Sequence, residues 1–426
     1  MESAVASTSA SLWAFLPTDL LLHVSGRLHD ARDFVRFHAV CRPWRDAAPA
    51  PAWRQKFQPW LVSQHPGRGM LIHNPVFYSG TLPPHATAST HRLYDGNVLP
   101  GTSDFHAGGW VAGPDGSSFQ RFTAHPEPTL QDLINGAVTR LPPFPEDNHG
   151  IVPRMTRPHG VVYGDGTIFL YSFVNEPAPV PSFYMPVFTA AIMGPGDTAW
   201  TVLERRLDWT PQSVECAAYH DGKVLVWMGL DRWCILTQDS TSNGGDIVVV
   251  GLERTDYTSK DEQYMRTNNY VFESRGELLW ASVLLEYEWF DRNKQALWNG
   301  GTVVPALAVM VHALEEEADG KMRWVERDGR SFDDHVLFLG FPGSFTANAT
   351  QLGMDGGCAY FVDHHRLFSY NLVNDEIKAL ESPFIGWISP NAHVWLRPQP
   401  IVASIHGVQE RLSLHPHKNK LSKKNE

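Results

Sequence analysis

The chain has 426 residues, of which 43% are hydrophobic and 19% are charged, and its formal net charge is −11 at pH 7. This composition is typical of a soluble globular protein rather than a disordered one, and the length leaves room for about two to three domains. The acidic balance gives no basis for nonspecific binding to nucleic acid or to an anionic membrane, so we expect neither as a partner.

The first fifty residues predict helices. Pro17 and Thr18 mark a helix start, with Asp19 in the first turn where the helix dipole favours a carboxylate. Apolar residues recur at helical spacing behind this start and again behind a second start at Asp30. These apolar residues are Leu20, Leu21, Val24, Leu28, Phe34, Phe37, Cys41 and Trp44. A segment of about 30 residues is too small to be stable alone, so it needs a partner or a neighbouring domain.

The order of these residues resembles the F-box, the adaptor-binding module of substrate receptors in SCF-type ubiquitin ligases. The resemblance departs from the common spacing by one extra residue between Leu28 and Asp33, and Gly26 weakens the first helix. It implies an F-box domain over residues 12–50 and a Skp1-like adaptor as partner. The residues that it implies for adaptor binding are Leu16, Pro17, Leu20, Leu21, Val24, Leu28, Phe37, Val40, Cys41 and Trp44. A helical cap packed on its own domain is the alternative.

Beyond residue 53 the pattern changes to short β-type runs separated by turns. Asp165-Gly166, Asp221-Gly222, Arg275-Gly276 and Met354-Asp355-Gly356 each precede a predicted strand, and we expect each to close a hairpin. A weaker copy surrounds Asp115-Gly116. Recurrence of such turns roughly every 50 residues is typical of a propeller, and the fifteen tryptophans suit the wedges between blades. We predict an all-β propeller of six blades; five or seven blades, a β-sandwich, or two smaller β domains are the alternatives.

This β region also resembles the C-terminal domain of many plant F-box proteins, the KIB-type β-propeller. The segments that carry the resemblance are Gly194–Glu204, Tyr219–Val224, Gly340–Phe345, Gly353–Asp363, Leu367–Leu372 and Trp395–Pro400. It covers nearly all of residues 60–402 and implies a β-propeller domain over residues 60–405 that captures a target protein. The family gives no shared target, and the target-binding residues stay unidentified. Residues 406–426 are basic, and we expect them to be disordered.

The cysteines and the terminal sequence indicate a cellular location. Cys41, Cys216, Cys234 and Cys358 show no CxxC pair or metal-like spacing, which suits core positions in a reducing compartment. The N-terminus lacks the positive start of a secretory signal. The longest apolar run, Val303 to Leu314, is shorter than the roughly 20 residues of a membrane span. We expect a cytoplasmic or nuclear protein that does not bind a membrane.

The sequence shows no catalytic motif. A nucleophile elbow, a P-loop and a dinucleotide-binding glycine motif are all missing. Asp363-His364-His365 is the most metal-like cluster, but adjacent histidines on a strand point to opposite faces, so we predict no metal site. Glu315-Glu316-Glu317 with Asp319 is expected to be a solvated loop, and a surface for a basic target is the other interpretation. We expect no catalytic residues and no cofactor.

The two resemblances together imply a substrate-receptor subunit of an SCF-type E3 ubiquitin ligase. The adaptor would join the chain to a cullin-RING ligase, and the chain itself would perform no bond chemistry. A propeller-based enzyme or sugar-binding module with an accessory helical cap is one alternative. An F-box adaptor that works outside degradation is another.

Overall fold

A computed structural model describes residues 16–26, 37, 40–47, 59–65, 69–74, 89–92, 109–113, 116–123, 127–132, 137–145, 155, 158–177, 184–206, 216–227, 232–238, 247–252, 263–298, 305–318, 320–363, 366–380 and 393–397. The chain divides into two compact units, one formed by Met1–Gln58 with Pro398–Glu426 and the other by Pro59–Arg397. None of the helices in these ranges is long and apolar enough to cross a membrane. The predicted C-terminal tail lies outside the described residues.

The first unit contains helices α1 (Thr18–Gly26) and α2 (Arg42–Ala47), which pack against each other. Helix α1 starts at the predicted place, because the N–H groups of Leu20 and Leu21 donate to the Pro17 carbonyl at 3.0 and 3.1 Å. Leu21 and Phe37 are buried, and the centre of the Phe37 ring lies 4.7 Å from that of Trp44. These side chains form the interior of the unit. The helix expected to start at Asp30 lies outside the described residues.

The second unit consists of groups of strands, and its first sheet joins the two ends of the unit. The strand order is β25, β1, β2, β3. The strands are β1 (Trp60–His65), β2 (Gly69–Asn74), β3 (Ser89–Arg92) and β25 (His393–Leu396). Leu61 stands opposite Trp395 in the antiparallel pairing of β1 with β25. Backbone hydrogen bonds therefore close the unit, as a ring of blades requires.

The next two groups are antiparallel meanders that merge into one eight-stranded sheet, because β4 pairs in parallel with β8. The second group contains β4 (Gly109–Ala112), β5 (Phe119–Thr123), β6 (Thr129–Asp132) and β7 (Val138–Arg140). The third group contains β8 (His159–Val162), β9 (Ile168–Pro177), β10 (Tyr184–Met193) and β11 (Thr201–Arg206).

The fourth and fifth groups are separate four-stranded sheets. The fourth contains β12 (Ala217–His220), β13 (Lys223–Trp227), β14 (Trp233–Gln238) and β15 (Ile247–Leu252). The fifth contains β16 (Tyr264–Ser274), β17 (Glu277–Glu286), β18 (Leu307–Glu316) and β19 (Met322–Glu326), with helix α3 (Tyr287–Trp298) inserted between β17 and β18.

The sixth group has five strands in the order β21, β20, β22, β23, β24, because β20 pairs in parallel with β22. Its elements are β20 (His335–Phe338), β21 (Phe345–Asn348), helix α4 (Ala349–Leu352), β22 (Cys358–Asp363), β23 (Arg366–Asn371) and β24 (Ile377–Ala379), preceded by a 3₁₀ turn at Gly329–Phe332. Six groups of strands agree with the six predicted blades.

Five hydrophobic clusters among the described residues each contain side chains of two neighbouring groups. They contain, in turn, Val111 and Leu170, Phe169 and Val224, Trp233 and Trp280, Val283 and Leu337, and Val336 and Trp395. The expected aromatic filling is present, since Trp233, Trp280 and Trp324 lie with ring centres 5.2, 5.3 and 5.6 Å apart. A hydrogen bond of 2.8 Å from the Arg397 N–H to the Gly116 carbonyl links the first group to the second.

Three predicted hairpin turns are confirmed. Asp165-Gly166 joins β8 to β9, Asp221-Gly222 joins β12 to β13, and Arg275-Gly276 joins β16 to β17. The glycines have φ of 94°, 74° and 79°, the region that a residue without Cβ adopts without strain. The weaker copy is confirmed as well, because the connection from β4 to β5 contains Gly116 at φ 67°.

The hairpin predicted at Met354–Gly356 is wrong, because the residues before it form helix α4 rather than a strand. The side chain of Asn348 accepts the Gln351 N–H at 3.0 Å and caps the start of this helix, and Gly353 ends it at φ 63°. Strand β22 follows and pairs with β20 and β23 instead.

Trp395 offers a test of ring closure. Its side chain is fully buried, and its Nε1 donates to the Leu339 carbonyl at 3.0 Å. Trp395→Ala is expected to lower the free energy of unfolding by about 3–5 kcal/mol, measured by urea denaturation. Val373→Ala is the control, because this 45% exposed side chain should contribute less than about 0.5 kcal/mol. Equal losses in both variants would show that this contact does not hold the unit together.

Candidate functional site

Exposed apolar side chains are concentrated in the helical unit. Among the described residues, the exposed large hydrophobic side chains are Leu20, Leu22, Val24, Val40, Val138, Val250, Tyr287 and Val373. Half of them belong to the helical unit, although this unit contributes only a small part of the described chain. These exposed apolar side chains make the helical unit the candidate site for contact with a partner.

The geometry of α1 places its exposed leucines and valine on two different sides. Leu20 and Val24 are 51% and 42% exposed and lie one turn apart, so they form one stripe along the helix. We call this pair the α1 stripe. Leu21 and Ser25, also one turn apart, form the buried side. Leu22 is also exposed, at 43%, but it lies on the opposite side of the helix. At 100° per residue, it is about 160° around the axis from both Leu20 and Val24.

The predicted adaptor-binding residues occupy three environments. Pro17, Leu20, Val24 and Val40 are exposed; Leu16, Cys41 and Trp44 are partly exposed; Leu21 and Phe37 are buried. Leu28 lies outside the described residues. The apolar residues that recur at helical spacing in α1 thus divide between a buried side and the exposed α1 stripe. An adaptor-binding role for each of the ten residues stays a prediction. The exposure of Leu22 was not indicated by the sequence pattern.

The acidic run is organised differently from the expected solvated loop. Glu315 and Glu316 belong to strand β18. Arg327 binds Glu315 at 2.8 Å and Glu277 at 2.7 Å, while Arg323 binds Glu317 at 2.9 Å. These arginines neutralise Glu315 and Glu317, while Glu316 is exposed and Asp319 lies outside the described residues. A surface for a basic target at this run stays a prediction.

Asp363 has a structural partner. Its buried carboxylate accepts a hydrogen bond of 2.8 Å from the Asn268 side chain, which links β22 to β16. His364 and His365 lie outside the described residues. Within the part of the chain that the structure describes, no three His, Cys, Asp or Glu side chains are placed to hold a metal ion together.

Among the described residues, the two carboxyl groups with clearly shifted pKa values are both shifted downward. Hydrogen bonds from Thr167 lower the pKa of Asp165, and those from His335 and Arg275 lower the pKa of Asp334. A general acid needs the opposite shift. Burial raises the pKa of both Cys234 and Cys358 to about 11, which makes these thiols poor nucleophiles. Their burial agrees with the expected core positions.

The connection between β20 and β21 reaches across the ring of sheets. The Phe341 ring lies 4.5 Å from that of His159 on β8 and is buried in the cluster between the third and fourth groups. Gly343 is packed so closely on Ala112 of β4 that a Cβ at this glycine would lie 2.4 Å from the alanine Cβ. This segment of the sixth group therefore contacts the second and third groups and reaches inward, toward the position of the central channel in propellers.

The contact of Phe341 with His159 predicts a pH effect. The His159 Nδ1 atom is buried without a hydrogen-bond partner, and burial lowers the pKa of this imidazole to about 4. The unfolded chain takes up the same proton below about pH 6.5, so stability decreases as the pH falls from about 6.5 to 4, by up to about 3 kcal/mol. His159→Gln should show a smaller loss of unfolding free energy between pH 7 and 4.5 than the wild type. Parallel pH profiles of the two proteins would contradict this assignment.

Comparisons with known proteins agree with this architecture. A family model described as KIB1-4 beta-propeller matches residues 53–374, and one described as F-box-like matches residues 13–59. A protein of Arabidopsis thaliana named "Putative F-box protein At1g65770" is 30% identical over 81 residues, which are 16% of this chain and 22% of that protein. The match therefore spans about a fifth of the length of this relative.

Similar solved structures are distant. The GH32 β-fructofuranosidase BmSUC1 of Bombyx mori is 12% identical, with 67% of this chain and 57% of that chain covered and a TM-score of 0.27. The Cps50 (Swd1) β-propeller domain of Myceliophteria thermophila is 8% identical, with 66% and 88% covered and a TM-score of 0.25. Neither likeness bears on function.

The propeller model covers most of the chain, and the F-box-like model matches the helical unit that precedes the sheets. This chain belongs to the KIB1-4 β-propeller family and carries an F-box-like region ahead of an all-β propeller.

Proposed function

We propose that this chain is the substrate-receptor subunit of an SCF-type E3 ubiquitin ligase. The F-box-like unit binds a Skp1-like adaptor, and the propeller holds a target protein. The observation that carries the proposal is the exposure of apolar side chains in the helical unit, where Leu20, Val24 and Val40 are each more than two-fifths exposed. A small helical unit that leaves these groups in water has an incomplete core, and an adaptor would complete it.

Burial of the α1 stripe contributes part of the energy of such a contact. Full burial of an exposed leucine or valine side chain contributes about 1.5–3 kcal/mol, and Leu20 and Val24 are 51% and 42% exposed, so the α1 stripe supplies about 1.5–3 kcal/mol in total. Leu21 and Phe37 act from inside, because they hold α1 in the position in which the stripe faces outward. Trp44 is partly exposed and packs on Phe37, which makes it an aromatic anchor at the edge of the same surface.

The mechanism is proximity. The adaptor joins a cullin and its RING partner, which bring the charged E2, and the propeller holds the target so that its lysines meet the E2. The chain contributes no acid, base or nucleophile to the transfer. Because the ligase components act on proteins inside the cell, we place the chain in the cytoplasm or the nucleus.

No specific observation among the described residues favours a propeller enzyme. The carboxyl pKa values of Asp165 and Asp334 are lowered rather than raised. In addition, Phe341 packs on His159 and Gly343 packs on Ala112, so the connection between β20 and β21 reaches across the ring.

The test compares the two sides of α1. The double variant Leu20→Asp, Val24→Asp places charges on the α1 stripe, and we expect it to bind a plant Skp1-like adaptor at least about tenfold more weakly than the wild type, because each buried carboxylate loses its hydration. Leu22→Asp is the matched control, since Leu22 is equally exposed on the same helix but lies off the stripe. Its affinity should stay within about threefold of the wild type. Binding is measured by isothermal titration calorimetry with the adaptor purified separately.

Both variants change exposed positions, so circular dichroism should show unchanged folding. Failure of the well-folded wild type to bind any adaptor would overturn the proposal. Loss of binding in Leu22→Asp with retention in the double variant would move the contact to the other side of α1.

A further inference from the structure

Strand β15 (Ile247–Leu252) differs from the strands at the same edge of the other five groups, which we call the closing strands. The closing strands β3, β7, β11, β19 and β24 each contain a lysine or an arginine, namely Arg92, Arg140, Arg205, Arg206, Arg323 and Lys378. The sequence of β15 is IVVVGL, without any charged residue. Native sheets protect their edges with charges, especially lysine, because an unprotected edge offers unpaired N–H and C=O groups to other chains.

Within the described residues, no strand pairs with the outer side of β15, although β19 of the fifth group lies near this strand. The strand order β12, β13, β14, β15 gives it a neighbour on one side only, where it pairs with β14 from Trp233↔Leu252 to Gln238↔Ile247. Val250 is 52% exposed, which is more than Val373 or Val24. Gly251 is exposed as well, and a Cβ added to it would meet nothing within 4 Å.

We propose that β15 is a docking edge for an extended segment of a partner protein, which adds to the fourth sheet as a fifth strand. Backbone hydrogen bonds along the edge supply the affinity, and Val250 with the open space at Gly251 selects β-branched side chains. The segment carries neutral or basic residues, because the chain has a net charge of −11 and would repel an acidic one. This proposal does not depend on adaptor binding by the helical unit.

A second copy of the chain fits this edge less well. Stable interfaces bury about 800 Å² on each partner and involve about 20–30 residues a side, far more than one six-residue strand presents. Two copies would also bring net charges of −11 together. A short segment of another protein avoids both difficulties.

The test uses the full chain and a fluorescein-labelled peptide of sequence KTVTVTVK, which alternates β-branched residues and is basic at both ends. Fluorescence anisotropy measures its affinity for the wild type and for Val250→Lys. A lysine at this position supplies the missing edge charge and repels the basic peptide, so binding should weaken at least about tenfold. Val138→Lys is the matched control, because Val138 is 58% exposed on β7, another closing strand. It should leave the affinity within about twofold.

Hydrogen exchange locates the site. The peptide should slow amide exchange in residues 247–252 of the wild type and leave β7 unchanged. Absence of peptide binding, or equal binding to Val250→Lys, would overturn the proposal. Two further outcomes would overturn it as well. If every β15 amide is fully protected before peptide is added, the chain covers its own edge. If the chain self-associates and Val250→Lys abolishes this, a second copy occupies the edge.

Discussion

The pairing of β1 with β25 is the constraint on which the rest of the second unit depends. A row of sheets leaves one face uncovered at each end, and only closure into a ring covers both faces of every sheet. The first and last strands achieve this through the register of Leu61 with Trp395. Every group then has two neighbours, and large aromatic side chains fill the wedge-shaped space between groups, as Trp233, Trp280 and Trp324 do between the fourth and fifth. The core is therefore a series of interfaces between sheets.

Ring closure also involves the connection between β20 and β21. Leu339 accepts a hydrogen bond from Trp395, and two residues further on Phe341 is buried among side chains of the third and fourth groups. The same few residues thus bind the closing strand and contact the third and fourth groups. The connection between β20 and β21 therefore contributes to the stability of the unit.

The sequence predicted those features that depend on neighbouring residues. The turns at Asp165-Gly166, Asp221-Gly222 and Arg275-Gly276 were predictable because a glycine at positive φ between two apolar runs is a local signal. The hairpin predicted at Met354 was wrong for a local reason as well, because Asn348 caps a short helix that replaces the expected strand. This cap also gives a structural role to the asparagine of an Asn-Ala-Thr sequon.

Features made by residues far apart in sequence could not be predicted. The ion pairs of Arg327 and the contact of Phe341 with His159 require a register that no single segment contains. In the helical unit, Leu20, Leu21 and Val24 span too wide an arc of α1 for periodicity to separate the buried side from the exposed one. The buried side of α1 is identified only by the structure, in which Leu21 and Phe37 are buried.

The same distinction separates the two recognition surfaces that we propose for this chain, the α1 stripe and strand β15. An adaptor-binding module presents its contacts on short helices, so a run of some 30 residues contains the whole signal, and a family resemblance can reveal it. A recognition edge such as β15 has no motif, because backbone groups make most of its contacts. Its signal is a contrast: β15 lacks the lysine or arginine that the other closing strands contain. That contrast becomes meaningful only after the sheet order has shown which strands lie at an edge, so a docking edge of this kind follows from topology rather than from motifs.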